Sequence, residues 1–242
     1  MTPNVNRESK DTQIVESEDW FQEAADKGYL TGDPPVSRRW WKGEGGFIDY
    51  TNPDAMRWWR GLQQQVFDWG LDGWKLDGTD PYLGRQQTHA GEMNTRGYAD
   101  HYYRDEYVWG LTQNPEFITL SRSVDGPIHP TGFAPLDAAP VTWVGDQDHT
   151  WGLEDEGLEE ALAYIFRAAE LGYAVVGSDV GGYGGSTIPK EVYIRWAQFS
   201  AFCGLFLNGG HGERMLWKRS PEELEIIRKF AWLHNELVPY IY

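Results

Sequence analysis

The stretch NPDAMRWWRGLQQQVFDWGLDGWKLDG, residues 52–78, decides the fold class. Asn52 is a favoured helix cap and Pro53 suits the first helical turn, and apolar residues then recur at helical spacing for about four turns. The glycine-bounded segment 73–78 is too short for a helix, so we interpret it as a buried strand that ends at Asp77. A helix that leads directly into a buried strand is typical of an α/β protein.

The same alternation continues along the chain. Further strands are predicted at residues 117–122, 139–145 and 173–177, with a last short one at 205–207, and further helices at residues 158–171, 189–206 and 221–240. The final helix is preceded by a capping box, Ser-Pro-Glu-Glu at residues 220–223. Strands that alternate with helices predict a parallel sheet, which is either open or closed into a barrel.

The strand ends favour the barrel. No Gly-x-Gly-x-x-Gly turn joins a strand to a helix, as an open dinucleotide-binding sheet would require. Predicted strands instead finish in or just before Asp77, Arg122, Asp146 and Asp179. In a β/α barrel these ends open onto one face, where catalytic groups from different strands converge.

The amino-acid composition excludes several classes of partner and of metal site. The 242 residues include 40% hydrophobic and 24% charged residues, which predicts one globular domain over residues 1–242. The net charge of −16 argues against nucleic acid and anionic membranes as partners. A single cysteine, Cys203, excludes an internal disulfide and cysteine-based metal sites. The start, MTPNVNRESK, is polar and no apolar span follows, which slightly favours a cytoplasmic location.

Three side chains are candidates for acid–base and nucleophilic chemistry. Lys75 and Asp77 are two apart on a predicted strand and therefore share a face, and a neighbouring ammonium favours a charged, nucleophilic carboxylate. A purely structural ion pair is the alternative. Asp146 follows the strand VTWVG, where a partly dry, tryptophan-lined mouth would favour a general acid, although a helix cap is equally compatible.

Further candidates lie on later strand ends and turns. Arg122 could hold a carboxylate or sugar hydroxyls, or form a structural salt bridge. Asp179 lies among glycines in GSDVGG, and His211 lies on the glycine-rich turn NGGHGE, where a packing role is the simpler interpretation. The 13 Trp and 13 Tyr residues have two possible interpretations: aromatic side chains that pack in the core, or rings that form platforms for an uncharged, polyhydroxylated ligand. No residue spacing predicts a metal site or a serine-hydrolase elbow.

Taken in order, several motifs resemble the catalytic domain of glycoside hydrolase family 31, the retaining α-glycosidases that include α-glucosidases and α-xylosidases. The resemblance rests on segments distributed over nearly the whole chain: GGFIDYTNPD at 45–54, GWKLDG at 73–78, LSRS at 120–123, WVGD at 143–146, GSDVGGY at 177–183, RW at 195–196 and HG at 211–212. It implies a partial (β/α)8 barrel of the TIM type, covering roughly strands 3 or 4 to 8, without the first strands and flanking β-sandwich domains of the family.

The resemblance also implies roles. Asp77 corresponds to the nucleophile and Asp146 to the acid/base, and carboxyl groups with these roles lie about 5–5.5 Å apart in retaining enzymes. The positions that match the lining of the sugar pocket are Lys75, Arg122, Trp143, Asp179 and His211. The implied partner is an α-glycoside, and no cofactor or metal is implied.

Departures from the family pattern keep alternatives open. The family often has Trp-x-Asp-Met-Asn-Glu at the nucleophile, where this chain has WKLDGTD at 74–80, and the usual Arg-Asn-His is here LNGGH at 207–211. The alternatives are a catalytically incompetent barrel fragment, a sugar-binding module, and an α-galactosidase of the related clan. The sequence does not choose between glucoside, xyloside, galactoside and sulfoquinovoside substrates, nor does it give the oligomeric state.

Overall fold

The computed structural model describes residues 1–10, 16–35, 37–79, 84–124, 132–185, 187–209 and 212–241. The chain divides into two compact units, Met1–Thr119 and Leu120–Tyr242. Within the described ranges, no helix combines the length and the apolar character needed to cross a bilayer. The same ranges contain no group of three or more His, Cys, Asp or Glu side chains arranged to hold a metal ion.

Helices and strands alternate through most of both units. In the described residues the helices are α1 (Glu16–Asp26), α2 (Pro53–Asp68), α3 (Thr95–Gln113), α4 (Leu158–Leu171), α5 (Lys190–Ser200) and α6 (Pro221–Ile241). The strands are β1 (Asn4–Ser9), β2 (Arg38–Trp40), β3 (Gly43–Phe47), β4 (Gly73–Leu76), β5 (Gln86–Thr88), β6 (Gly91–Met93), β7 (Ile118–Arg122), β8 (Val141–Trp143) and β9 (Val176–Gly177).

The first unit contains an antiparallel sheet that sequence patterning did not predict. Its strand order is β1-β3-β2, with Val5 opposite Gly46 and Arg39 opposite Glu44. Gly45 is required there, because a Cβ atom at that position would lie 2.0 Å from the carbonyl oxygen of Val5. Strands β5 and β6 form a separate antiparallel hairpin.

Helix α2 forms as its sequence predicts. The side chain of Asn52 accepts hydrogen bonds from the backbone N–H groups of Asp54 and Ala55, which would otherwise be unsatisfied at the helix start. Ala55, Trp59 and Gln63 lie on its buried face at helical spacing.

Helix α3 packs against the rest of the first unit through a face that carries a buried carboxylate. The carboxylate of Glu106 is fully buried and accepts hydrogen bonds from the Tyr50 hydroxyl at 2.5 Å, the Trp59 indole at 3.2 Å and the Gln63 amide at 2.9 Å. Arg60 completes the cluster, with its Nη1 atom 3.1 Å from Glu106 Oε2. A buried carboxylate is tolerated because each of its oxygens has partners. This Glu106 cluster fixes α3 against α2.

The second unit contains the predicted parallel strands. Ser121 on β7 lies opposite Thr142 on β8, which in turn lies opposite Val176 on β9. Helix α4 ends at Gly172, whose φ of 100° is the left-handed conformation that favours glycine after a helix. Its buried face and that of α5 share one apolar core around the fully buried Trp196.

The ends of the second unit differ from the expectation in detail. The helix predicted at 189–206 stops at Ser200, and the strand predicted at 205–207 is a single parallel bridge between Asp179 and Leu207. Before α6, the predicted capping box is formed: the Glu223 carboxylate accepts from the Ser220 backbone N–H at 3.0 Å, and the Ser220 hydroxyl accepts from the Glu223 N–H at 3.3 Å.

Candidate active site

Asp77 directly follows strand β4. Leu76 is fully buried, whereas Lys75 and Asp77 on either side of it are half-buried, as alternation along a strand requires. At the start of β4, the Ile118 N–H donates to the Asp72 carbonyl at 3.1 Å. Gly73 permits this approach, since a Cβ atom there would lie 2.1 Å from the Ile118 carbonyl oxygen.

Hydrogen bonds hold the backbone of Asp77 and orient its carboxylate. The backbone N–H of Asp77 donates to the Met1 carbonyl and to the Tyr102 hydroxyl, each at 3.1 Å. The N–H of Gly78 donates to Asp77 Oδ1 at 2.8 Å. Gly78 has φ of +89°, so the chain turns sharply here and directs its N–H back to the carboxylate.

An exposed tryptophan lies beside this turn. A Cβ atom at Gly78 would lie 3.3 Å from Cη2 of Trp41, so the indole borders the segment that carries Asp77. Trp41 is 45% exposed and packs edge-on against Trp40, whose indole N–H donates to Asn6 Oδ1 at 2.6 Å. The Trp-Trp pair is visible in the sequence, but nothing there indicates its proximity to Asp77.

Asp146 lies in the second unit, just beyond β8. Its Oδ1 atom is 3.4 Å from Nη2 of Arg122, and its side chain is 43% exposed, against 10% for that of Arg122. The Arg122 guanidinium lies 4.7 Å from the centre of the fully buried Trp143 ring. A planar cation held against an aromatic face keeps its orientation, so Arg122 presents a fixed positive edge to a solvent-facing carboxylate.

The loop that carries Asp146 is tied to the loop after β9. The Gln147 carbonyl accepts from the backbone N–H groups of Tyr183 at 2.6 Å and Gly184 at 3.0 Å. His149 Nδ1 lies 2.5 Å from the Gly181 carbonyl oxygen, to which it donates. Backbone hydrogen bonds between the two loops restrict the positions that the Asp146 loop can adopt.

Asp179 forms a buried ion pair. It is 2% exposed, and its Oδ1 atom lies 3.6 Å from Nη1 of Arg214, which is 1% exposed. The same Nη1 donates to the Gly182 carbonyl at 2.9 Å, and the guanidinium lies 4.8 Å from the centre of the Tyr183 ring. Gly209 makes room for it, because a Cβ atom there would lie 2.8 Å from Arg214 Cζ. No sequence pattern indicates a role for Arg214.

The candidate residues therefore fall into groups. Lys75 and Asp77 lie together at the end of β4 in the first unit. Arg122, Trp143 and Asp146 lie together in the second unit, where Asp179 instead pairs with Arg214. His211 lies outside the residues that the structure describes.

Comparison with known proteins identifies the family. The model of the glycosyl hydrolases family 31 TIM-barrel domain matches residues 1–242, which is the whole chain. The chain belongs to glycoside hydrolase family 31. The family resemblance predicted from the sequence motifs is thereby confirmed.

Curated relatives carry the names of different glycosidases. The chain is 28% identical over 248 residues to a sulfoquinovosidase of Escherichia coli, and 26% identical over 245 residues to the α-xylosidase XylQ of Lactiplantibacillus pentosus. These matches cover 94% and 95% of this chain, but only 35% and 30% of the relatives. The family 31 chain thus spans about a third of the length of these relatives.

Solved structures support the fold. A cycloalternan-forming enzyme from Listeria monocytogenes, in complex with a pentasaccharide substrate, matches all of this chain and 24% of its own, with a TM-score of 0.78 and 23% identity. A cycloalternan-degrading enzyme from Trueperella pyogenes, in complex with a covalent intermediate, matches all of this chain and 34% of its own, with a TM-score of 0.79 and 21% identity. The predicted α/β class and partial (β/α)8 barrel are confirmed.

Proposed function

We propose that this family 31 chain carries the two carboxylates for hydrolysis of α-glycosidic bonds with retention. The observation that carries the proposal is the setting of Asp77: it directly follows strand β4, its carboxylate accepts from the Gly78 N–H, and the exposed Trp41 lies beside it. An indole face is a suitable platform for the apolar face of a sugar ring.

The proposed reaction has two steps. Asp146 donates its proton to the glycosidic oxygen while Asp77 attacks the anomeric carbon, so the bond to the leaving group breaks as the glycosyl ester forms. Asp146, now a carboxylate, then takes a proton from water, which attacks the same carbon and releases Asp77. The exposure of Asp146 leaves one side of its carboxyl group accessible to a leaving group and to water.

The other candidate residues are proposed to line the sugar pocket. Arg122 would hold Asp146 or a sugar hydroxyl, and Trp143 would act through the Arg122 guanidinium that lies over its ring. Lys75, Asp179 and His211 complete the proposed set. The names of the relatives support an α-linked substrate with an uncharged or sulfonated sugar, and they do not favour one sugar over another.

The test uses aryl α-glycosides and the full chain. We expect Asp77→Ala to lower kcat at least about 1,000-fold, because the covalent route is lost. Azide should restore turnover and give the β-glycosyl azide, detected by NMR, since it attacks from the face that Asp77 occupied. Asp146→Ala should lower kcat about 10²- to 10⁴-fold with a poor leaving group, and azide should here give the α-glycosyl azide.

Asp72→Ala is the matched control. Asp72 is exposed, lies just before β4 and accepts a hydrogen bond from the Asn114 amide at 2.9 Å, away from the proposed chemistry. This variant should keep its activity. Full activity in Asp77→Ala, or equal losses in Asp77→Ala and Asp72→Ala, would overturn the proposed function.

A further inference from the structure

The hydroxyl of Tyr102 lies within hydrogen-bond distance of three backbone groups, which are the N–H and carbonyl of Asp77 and the carbonyl of Met1. It accepts the Asp77 N–H at 3.1 Å, and it lies 3.0 Å from the Met1 carbonyl oxygen and 3.1 Å from the Asp77 carbonyl oxygen. A hydroxyl has one proton to donate and two lone pairs, so it can accept from the N–H and donate to either carbonyl. It therefore accepts from the Asp77 N–H, and its single proton is donated to the carbonyl oxygen of either Asp77 or Met1.

Tyr102 is itself held rigidly. It is fully buried, with its ring centre 5.5 Å from that of Tyr50 and 4.9 Å from that of Tyr103. Burial raises the pKa of the Tyr102 hydroxyl well above its ordinary value, so the group keeps its proton at every working pH. Packing fixes the ring, and the neutral hydroxyl remains a donor.

The helix that presents Tyr102 is also anchored. Glu106 follows it by four residues on α3, which puts both side chains on one face of the helix. The buried Glu106 carboxylate is bound by Tyr50, Trp59 and Gln63, so α3 cannot slide along its axis without breaking these hydrogen bonds. The contact to Asp77 thus rests on a rigid element rather than on a loop.

We propose that Tyr102 is a positioning residue for Asp77, and that its hydroxyl sets the height and direction of the nucleophilic carboxylate at the end of β4. This inference rests on the proposed function, in which Asp77 attacks the anomeric carbon. Displacing a reacting group by about 1 Å costs up to about 100-fold in rate, so losing the backbone hydrogen bonds of this hydroxyl has a measurable effect. Binding of the sugar depends on other groups and is left unchanged.

Tyr102→Phe removes the hydroxyl and keeps the ring. Tyr98→Phe is its matched control, because Tyr98 is one turn earlier on α3, is equally buried, and donates its hydroxyl to the Ile48 carbonyl at 2.7 Å, away from Asp77. The full chain and both variants are treated with an α-configured cyclophellitol aziridine, which esterifies the nucleophile of a retaining α-glycosidase. Mass spectrometry identifies the labelled residue, and the concentration dependence separates kinact from KI.

Each variant is assayed at a fixed interval below its own Tm, so that all are folded. We expect Asp77 to be labelled in the unchanged chain, kinact to fall about tenfold in Tyr102→Phe with KI changed less than about twofold, and Tyr98→Phe to match the unchanged chain. If Asp77 is labelled and kinact is equal in both variants, the positioning role of Tyr102 is overturned and the proposed function stands. Failure to label Asp77 in the unchanged chain overturns the proposed function, and the positioning role with it.

Discussion

Replacing Glu106 with glutamine is expected to lower the free energy of unfolding by about 3 kcal/mol. Both carboxylate oxygens of Glu106 accept hydrogen bonds inside the first unit, from Tyr50, Trp59 and Gln63, and Oε2 also faces Arg60 at 3.1 Å. The amide nitrogen of a glutamine would meet donors at one of these positions, where it cannot accept. Removing one partner of a buried ion pair costs about 3–5 kcal/mol, and Arg60 retains a second carboxylate, which favours the lower value.

Asp105→Asn is the matched control. Asp105 is adjacent in sequence and also pairs with Arg60, but its side chain is 32% exposed while that of Glu106 is fully buried. An exposed ion pair contributes less than about 1 kcal/mol. Urea unfolding followed by far-ultraviolet circular dichroism would measure both variants, and a loss of 3 kcal/mol lowers the midpoint by about 1.5 M at an m-value of about 2 kcal/mol/M.

The comparison has one refuting result. If Glu106→Gln and Asp105→Asn lower the free energy of unfolding by the same amount, burial does not determine what the carboxylate contributes. The Glu106 cluster would then not fix α3, and the rigid support inferred for Tyr102 would be lost with it.

Two further predictions concern glycines and the single cysteine. Gly61→Ala should raise the free energy of unfolding by about 0.5–1 kcal/mol, because this exposed position in α2 has open space for a Cβ atom. Gly110→Ala should lower the free energy of unfolding by about 1–3 kcal/mol, because its Cβ atom would lie 2.1 Å from the Phe117 ring. Thermal unfolding that moves both variants in the same direction would contradict this prediction. Burial raises the pKa of the Cys203 thiol to about 12, so only about one thiol in 10⁴ is ionised at pH 8. A disulfide reagent should therefore react over about 100-fold more slowly with the folded chain than with the urea-unfolded chain. Equal rates would contradict the buried position.

The predicted elements were those whose sequence signals are local. Helix α2 was predicted because a cap, a proline and an apolar stripe coincide in one segment, and α6 was predicted from its capping box, which has a proline at the first helical position. Strand β4 was predicted from its glycines and its brevity. These signals depend on neighbouring residues and need no knowledge of tertiary contacts.

Helix α3 was not predicted, and its composition explains why. Its buried residues are Tyr98, Ala99, Tyr102, Tyr103, Glu106 and Gly110, which include no large aliphatic side chain, so no strong apolar stripe distinguishes this face from the exposed one. What makes this face buried is the Glu106 cluster, whose partners come from residues 50–63. Such long-range polar contacts leave no periodic trace in the sequence.

The candidate site divides in the same way. Asp77, Arg122 and Asp146 were identified because each lies at or just after the end of a predicted strand, where a barrel collects its chemistry. The sequence did not identify Tyr102 or Arg214, whose relevance depends on which carbonyl or carboxylate each side chain reaches in space. The face shared by Lys75 and Asp77 follows from strand geometry, whereas the indole of Trp41 beside Gly78 does not.

The hydrogen bonds between the loop after β8 and the loop after β9 bear on how this chain could be redesigned. Gln147 and His149 bind the backbone of residues 181–184, so a graft that replaces only one loop would leave unsatisfied carbonyl and N–H groups in the other. Chimeras made to alter substrate choice should therefore exchange the two loops together. Single exchanges would disturb the acid/base proposed for Asp146 before any new sugar contact could be measured.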